Sequence, residues 1–391
     1  MMKSVKSQIV CLSAVFVFSF SSVGVAGTTN LPSEMEGKLF VGYQGWFRTP
    51  ADGANSKWKH WGNGTTLTAT DLTVDMWPDI SEYPDTVLAT PPGLPLLGNG
   101  TSTKLFSSVF KETTDLHLKW MQDYGVDGAF VQRFVTDFRS PKSEVPLLNM
   151  AENAGRFGLK VAIMYDISAA WRNSACYVDG GAPDTSLGSA NPKFSIKKCV
   201  SEDWLVLESR LINSNGYLRV FGSKPLVGLW GYGFNPGVSS ENGNQYLFNT
   251  ADGLELINWF KSRGIAVMGG IPTYWRTQTR DSLSDAYAVS RGWPSWSTVY
   301  GSFDILSPWM VGRVANSTDV DNFTSSTLLG DIQAVQGMWK GYLPVIYPGF
   351  SFFNTARTRG SSVPLNQIPR NYGSFYWKQF DAYKKLGLTS M

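Results

Sequence analysis

The chain has 391 residues, 43% of them hydrophobic, 17% charged and 14% aromatic, with a net charge of +3. Charge this sparse, without a basic run, excludes the concentrated Lys/Arg face of a nucleic-acid binder. Two histidines far apart in sequence (His60 and His117) and three cysteines offer no metal donor set, and no cofactor is expected. Fifteen Trp, 16 Tyr and 23 Phe instead supply flat apolar faces that suit neutral ligands such as sugars, although a large core also absorbs indoles.

The first residues read as an export signal. Lys3 and Lys6 precede an apolar run, Ile9 to Phe20, and Gly24-Val25-Ala26 suits a signal peptidase. The run is shorter than the ~20 residues a membrane span needs. Residues 1–26 are therefore expected to be removed, leaving 27–391 as one (β/α)-barrel domain of catalytic type. The product is expected to be secreted, extracellular or periplasmic, monomeric and without a membrane partner. Cys176 and Cys199 remain as an even pair, and a bridge between them would contribute on the order of 3 kcal/mol as a loop staple. Asn63, Asn99, Asn316 and Asn322 begin glycosylation sequons, meaningful only in a eukaryotic host.

Short apolar strands then alternate with amphipathic helices, the pattern of a parallel sheet. Strands are predicted at Lys38–Phe47, Val126–Val135, Lys160–Ser168, Lys224–Gly233, Ile265–Trp275, Phe303–Val311 and Leu343–Phe353. Helices are predicted at Lys111–Tyr124, Val145–Phe157, Ser201–Asn215, Ala251–Ser262, Ser282–Ser290, Ser325–Lys340 and Gly373–Gly387. Insertions occupy about 48–108 and 169–200. Seven strands, each followed by a helix, predict an α/β fold of the (β/α)8 TIM type with the eighth strand missing from this chain. The rival is an open doubly wound sheet, but no glycine-rich phosphate loop follows the first strand.

Sites in such barrels lie at the C-terminal strand ends. Those ends carry Tyr43, Gln44 and Trp46; Gln132 and Arg133; Tyr165 and Asp166; Trp230; Tyr274 and Trp275; Trp309; and Tyr347. Indoles stack on pyranose faces while amides, guanidinium and carboxylate fix hydroxyls. All of these except Asp166 are expected to bind substrate, with His60 and Trp61 from the first insertion. Glycosidic hydrolysis takes two carboxyl groups. Asp166 is the leading candidate, although a loop-capping role fits it equally. Asp75 is the second, in an insertion expected to fold over the barrel mouth. Asp127 and Asp304, near strand starts, read as structural.

The segments GYQGWFRTPADG, KWKHWG, DMWPDISEY, LFSS, DLHLKWMQDYGVDGAFVQRF, VAIMYDIS and KPLVGLWGYGF resemble the secreted glycoside hydrolase families 71 and 99-like group, sometimes labelled xylosidase/arabinosidase. The resemblance implies a (β/α)8 barrel acting on α-linked polysaccharides or mannosides. It also implies retaining endo-cleavage, with the substrate's own 2-hydroxyl as the internal nucleophile. Relatives carry two glutamates on a final strand, in a segment resembling F-D-E-x-D-E-G-T. This sequence stops at Thr389-Ser390-Met391, where that strand would start, so the acids transfer to no residue here. They are expected beyond residue 391, the chain being a fragment, because an unpaired seventh strand would expose a long apolar edge. The alternative is a glycan-binding barrel without catalysis. A third reading, another neutral substrate handled by Asp166 and Asp75, trails both.

Overall fold

The computed structural model describes residues 29–54, 57–62, 64–184, 186–235 and 249–391, so the expected leader lies outside the described residues. Seven parallel strands form a curled sheet of the incomplete TIM-barrel type. They are β1 (Phe40–Tyr43), β2 (Gly128–Phe134), β3 (Lys160–Asp166), β4 (Lys224–Trp230), β5 (Ala266–Ile271), β6 (Ile305–Pro308) and β7 (Gly341–Tyr342). Each pairs with the strand that follows it in the chain, as β–α–β crossovers of one hand require. A short strand, Arg219–Val220, returns antiparallel onto the start of β4.

Helices cover the outer face: α1 (Lys111–Asp123), α2 (Val145–Asn153), α3 (Ile196–Ile212), α4 (Thr250–Ser262), α5 (Trp296–Ser302), α6 (Ser317–Phe323), α7 (Leu329–Gly337) and α8 (Ser374–Lys385). Two begin earlier than the sequence suggested, and capping explains both. Ser195 Oγ accepts from the Lys198 N–H, so α3 starts ahead of Ser201. Asn316 accepts from the Asp319 N–H and starts α6, which runs through a π-helical turn, Thr324–Leu328, into α7. The seventh strand, Gly341–Tyr342, is two residues long and lies wholly ahead of the predicted Leu343–Phe353. Pro344 and Pro348 supply no N–H, and the segment after Tyr342 has a neighbour on one side only. Among the described residues no helix is long and apolar enough to cross a membrane.

Side chains alternate across each strand. Phe40, Phe130, Ala162, Leu226, Ala266, Met268, Ile305 and Leu343 point inward and pack with Leu31 and Met35, which plug the lower end. Val131, Val161, Ile163, Val227, Val267 and Leu306 point outward against the helices. Two carboxylates fix strand starts, as expected: Asp127 accepts from the Leu39 N–H and Asp304 from the Val267 N–H, both at 2.9 Å.

Among the described residues no strand pairs with both β7 and β1. Met391 makes one parallel rung on β1, its carbonyl accepting from the Phe40 N–H at 2.6 Å and its N–H donating to the Lys38 carbonyl at 3.2 Å. Above that rung a slot separates β1 from β7. It continues into an apolar cavity of about 280 Å³ that reaches from Val41, Leu343 and Val345 to the interior Phe130, Met164 and Met268.

The first insertion has its own core, in which Trp58, Trp61, Leu67, Tyr83 and Phe106 pack against Trp120 of α1. The second is stapled by a Cys176–Cys199 disulfide, which ties the loop after β3 to α3. Cys176→Ser/Cys199→Ser is expected to lower unfolding free energy by roughly 3 kcal/mol, read from urea denaturation with and without reductant.

Candidate functional site

A cleft of about 960 Å³ lies over the C-terminal strand ends. One wall comes from β1 and the first insertion (Gln44, Trp46, Lys57, Lys59, His60), the other from the segment after β7 (Phe350, Ser351, Phe352, Thr355, Arg359), and Trp309 stands after β6. Its size suits several sugar rings.

The walls are latched by Asp75. One of its oxygens accepts from Ser351 Oγ (2.6 Å) and the Phe353 N–H (2.7 Å), and the other from the Asn354 N–H (2.7 Å). Asn354 Nδ2 and Thr355 Oγ1 return bonds to the carbonyls of Val74 and Thr73, each at 2.7 Å. Asp75 thus holds the start of the Phe353–Thr358 helix against the insertion and is not part of the cleft lining.

Trp46 stacks with His60 at 4.3 Å and with Phe134 at 5.1 Å between ring centroids. Trp46 supports the His60 ring and remains partly exposed as a lining residue of the cleft. Burial first, and Lys59 second, push the His60 imidazole down to about 4, so it is neutral near pH 7. Its ring nitrogens have no hydrogen-bond partner among the described residues, and neither does the exposed Gln44 amide; both remain available to a ligand. Trp309 meets Trp230 edge to face at 5.5 Å and lines both the cleft and the apolar cavity beneath. Trp230 lies across Gly270, where a Cβ would come within 2.4 Å of the indole.

Alternation sorts the remaining candidates. Gln132, Phe134 and Asp166 share one side of β2 and β3, whereas Tyr43, Arg133 and Tyr165 take the other. Asp166 is buried and accepts from Ser168 Oγ (2.5 Å), the Ser168 N–H (2.9 Å) and Gln132 Nε2. Burial outweighs those donors and raises its carboxyl to about 6. Arg133 forks onto Asp203 at 2.6 and 2.8 Å, and Tyr165 donates to the same carboxylate at 3.1 Å. The Tyr43 hydroxyl meets His117 Nδ1 at 2.9 Å, with Tyr83 on the other ring nitrogen. Trp61 is buried in the insertion and donates to the Phe106 carbonyl. Trp275 is buried and donates to Asp331 at 3.2 Å, while the Tyr347 hydroxyl bonds the Val314 carbonyl. Tyr274 carries Arg280 over its ring at 4.5 Å.

The cleft therefore gathers Gln44, Trp46, His60 and Trp309, with Trp230 adjoining. Tyr43, Trp61, Arg133, Tyr165, Trp275 and Tyr347 are engaged in packing elsewhere. Lys57, Lys59, Phe350, Phe352 and Arg359 escaped the sequence reading. Lys57 and Lys59 flank Trp58 in the same KWKHWG segment as His60, which was the available signal. The segment after β7 carried none, since its part in the cleft depends on the Asp75 latch.

No family model matches the sequence, and no curated protein matches it. Among solved structures, a GH99 endo-alpha-mannosidase from Bacteroides thetaiotaomicron superposes with a TM-score of 0.51 at 14% identity, covering 91% of this chain and 83% of that one. The chain shares its fold. A second GH99 endo-alpha-mannosidase structure from that genus and species, in complex with bis-tris propane, gives a TM-score of 0.50 at 15% identity over 91% of this chain and 82% of that one.

Trp309→Ala is expected to weaken oligosaccharide binding by about 1 kcal/mol, roughly fivefold, with the melting temperature nearly unchanged. Trp275→Ala should instead destabilise the fold by about 3–5 kcal/mol. Calorimetric titration and denaturant melts separate the two effects. A raised carboxyl binds its proton more tightly in the folded chain. The stability Asp166 adds is therefore full below about pH 4 and lost as pH rises through about 6. Asp166→Asn should flatten part of that decline in a melting-temperature series.

Proposed function

We propose that this chain is the sugar-binding body of a secreted glycoside hydrolase, acting on an oligosaccharide or polysaccharide held in the cleft over the strand ends. The observation that carries the reading is the lining of that cleft. Trp309, Phe350 and Phe352 supply apolar surface, while Gln44 and His60 keep polar groups unspent for a ligand. Shared fold with an endo-alpha-mannosidase supports a carbohydrate ligand, and an α-linked glycan cleaved with retention is the finer expectation. The disulfide fits an oxidising compartment, hence export after cleavage near Ala26.

Asp166 holds a proton in mild acid, as a group handing one to a leaving oxygen must. Its position on the inward side of β3, beside Gln132, supports a role toward the sugar. The acid and base pair would come from an eighth strand lying in the slot between β1 and β7, continuing the rung at Met391. The glutamates of that strand then lie beyond residue 391, and 27–391 forms one domain with them.

One observation favours the second reading, a glycan-binding barrel without catalysis. Among the described residues no carboxylate lines the cleft. Reading the gene past codon 391 separates the two. We expect an in-frame continuation with paired glutamates whose product releases reducing ends from α-mannan, an α-glucan or arabinoxylan, while the 391-residue chain binds without cleaving. A stop codon there, with a product that binds sugar but cleaves none, would establish the binding reading instead.

A further inference from the structure

His60 stands in the cleft on backbone that has to be held. Its φ of 64° is left-handed, a region costly for a residue with a Cβ. Its ring stacks on Trp46, which stacks in turn on Phe134 at the end of β2. Its carbonyl accepts from Thr73 Oγ1 at 2.8 Å. A third hold acts through its neighbour. Lys59 Nζ meets both oxygens of Asp137 at 2.8 and 2.9 Å, and the Lys59 carbonyl accepts from the Arg48 N–H at 3.1 Å. Asp137 closes the single 3-10 turn Val135–Asp137 directly after β2, so that strand reaches His60 by two routes, the ring stack and the ion pair.

The loop after β2 has other ties to the insertion. Arg48 Nη1 donates to the Pro141 carbonyl at 3.3 Å and Lys142 Nζ to the Asp52 carbonyl at 2.9 Å. The Lys59 and Asp137 side chains are 39% and 26% exposed, so their pairing adds little to overall stability. Its effect is local to His60. A neutral imidazole offers one N–H donor and one acceptor nitrogen, the combination a hydroxyl also presents. Burial first, and Lys59 second, keep the ring neutral near pH 7 against the opposing pull of Asp137. Trp46 and Phe47, whose rings meet the imidazole, are uncharged, and Lys57 and Arg359 line the same cleft.

We infer that Asp137 is a positioning residue for the sugar site: through Lys59 it fixes the His60 imidazole where that ring engages a hydroxyl of the bound glycan. This rests on the reading of the cleft as a sugar site. Asp137 stands behind the cleft lining and touches no ligand; it sets the place of the ring that does.

The test compares the full chain with Asp137→Asn and Asp137→Glu. The sequence holds two histidines, so imidazole NMR resolves His60 against His117, which is held between Tyr43 and Tyr83 and reports on the fold around it. The direction of the His60 shift separates two roles. Were Asp137 to act by charge alone, its removal would lower the affinity of His60 for a proton. A ring released from its strut gains water, and its pKa rises from about 4 toward the ordinary value near 6.5. We expect the rise in Asp137→Asn, with His117 unmoved and Asp137→Glu restoring His60. In calorimetric titration against mannan, α-glucan and arabinoxylan oligosaccharides, the glycan that the unaltered chain binds should bind Asp137→Asn about fivefold more weakly, the factor set by a partly exposed ion pair. Asp137→Glu should recover most of that loss. Asp137→Ser serves if His117 shows that the asparagine variant is misfolded. A fall or no change at His60 overturns the positioning role, and so does a rise with affinity unaltered. If the unaltered chain binds none of the panel, the sugar reading fails and the ligand's part of the inference with it, whichever way His60 moves.

Discussion

Everything at the mouth of this barrel depends on the two-residue alternation of parallel strands. A strand residue faces either the barrel axis or the helices, and its neighbour must face the other way. In Gln132-Arg133 and Tyr165-Asp166, one member of each pair turns inward and the other is committed to packing. Arg133 and Tyr165 converge on Asp203 of α3 and help fasten the helical layer. Gln132 and Asp166 converge on each other inside. The same rule sends Tyr43 to His117 of α1 and leaves Gln44 in the cleft.

Strand ends alone do not make the site. The insertion after β1 and the segment after β7 are separated by almost the whole chain, and both must fold over the mouth to form walls. Asp75 joins them through three hydrogen bonds at a helix start, where a carboxylate is stabilised by the exposed N–H groups. The insertion's aromatic core keeps that wall from moving independently. With both walls fixed, His60 is held on Trp46 and beside Phe47, and its left-handed backbone at φ 64° is anchored where its carbonyl accepts from Thr73 Oγ1.

The layout of strands and helices was legible because hydrophobic periodicity reports local structure. Six of the seven strand segments, the disulfide pair and the incomplete barrel emerged from pattern, and the structural roles of Asp127 and Asp304 followed from their positions at strand starts, whereas the seventh strand lies at Gly341–Tyr342, ahead of the predicted Leu343–Phe353. The site was legible in part. Trp309 and Gln44 line the cleft from strand ends, and His60 lines it from the first insertion. Trp275 and Tyr347 follow strand ends in sequence but pack outside the cleft, where Trp275 donates to Asp331 of α7 and the Tyr347 hydroxyl to the Val314 carbonyl. Lys57, Phe352 and Arg359 reach the cleft through contacts between distant segments, and no local periodicity encodes such contacts. Asp75 looked like chemistry because a carboxylate near a barrel mouth invites that reading, but its hydrogen bonds are those of a latch.

The central claim is that a saccharide lies between the two latched walls, over Trp309 and beside His60. A crystal structure of the chain soaked with an oligosaccharide that it binds in solution tests this most directly. The account predicts density for sugar rings along Trp309 and Phe352, with a hydroxyl within hydrogen-bond distance of His60 or Gln44. Sugar bound only on the outer helices, with the cleft filled by water alone, would contradict it.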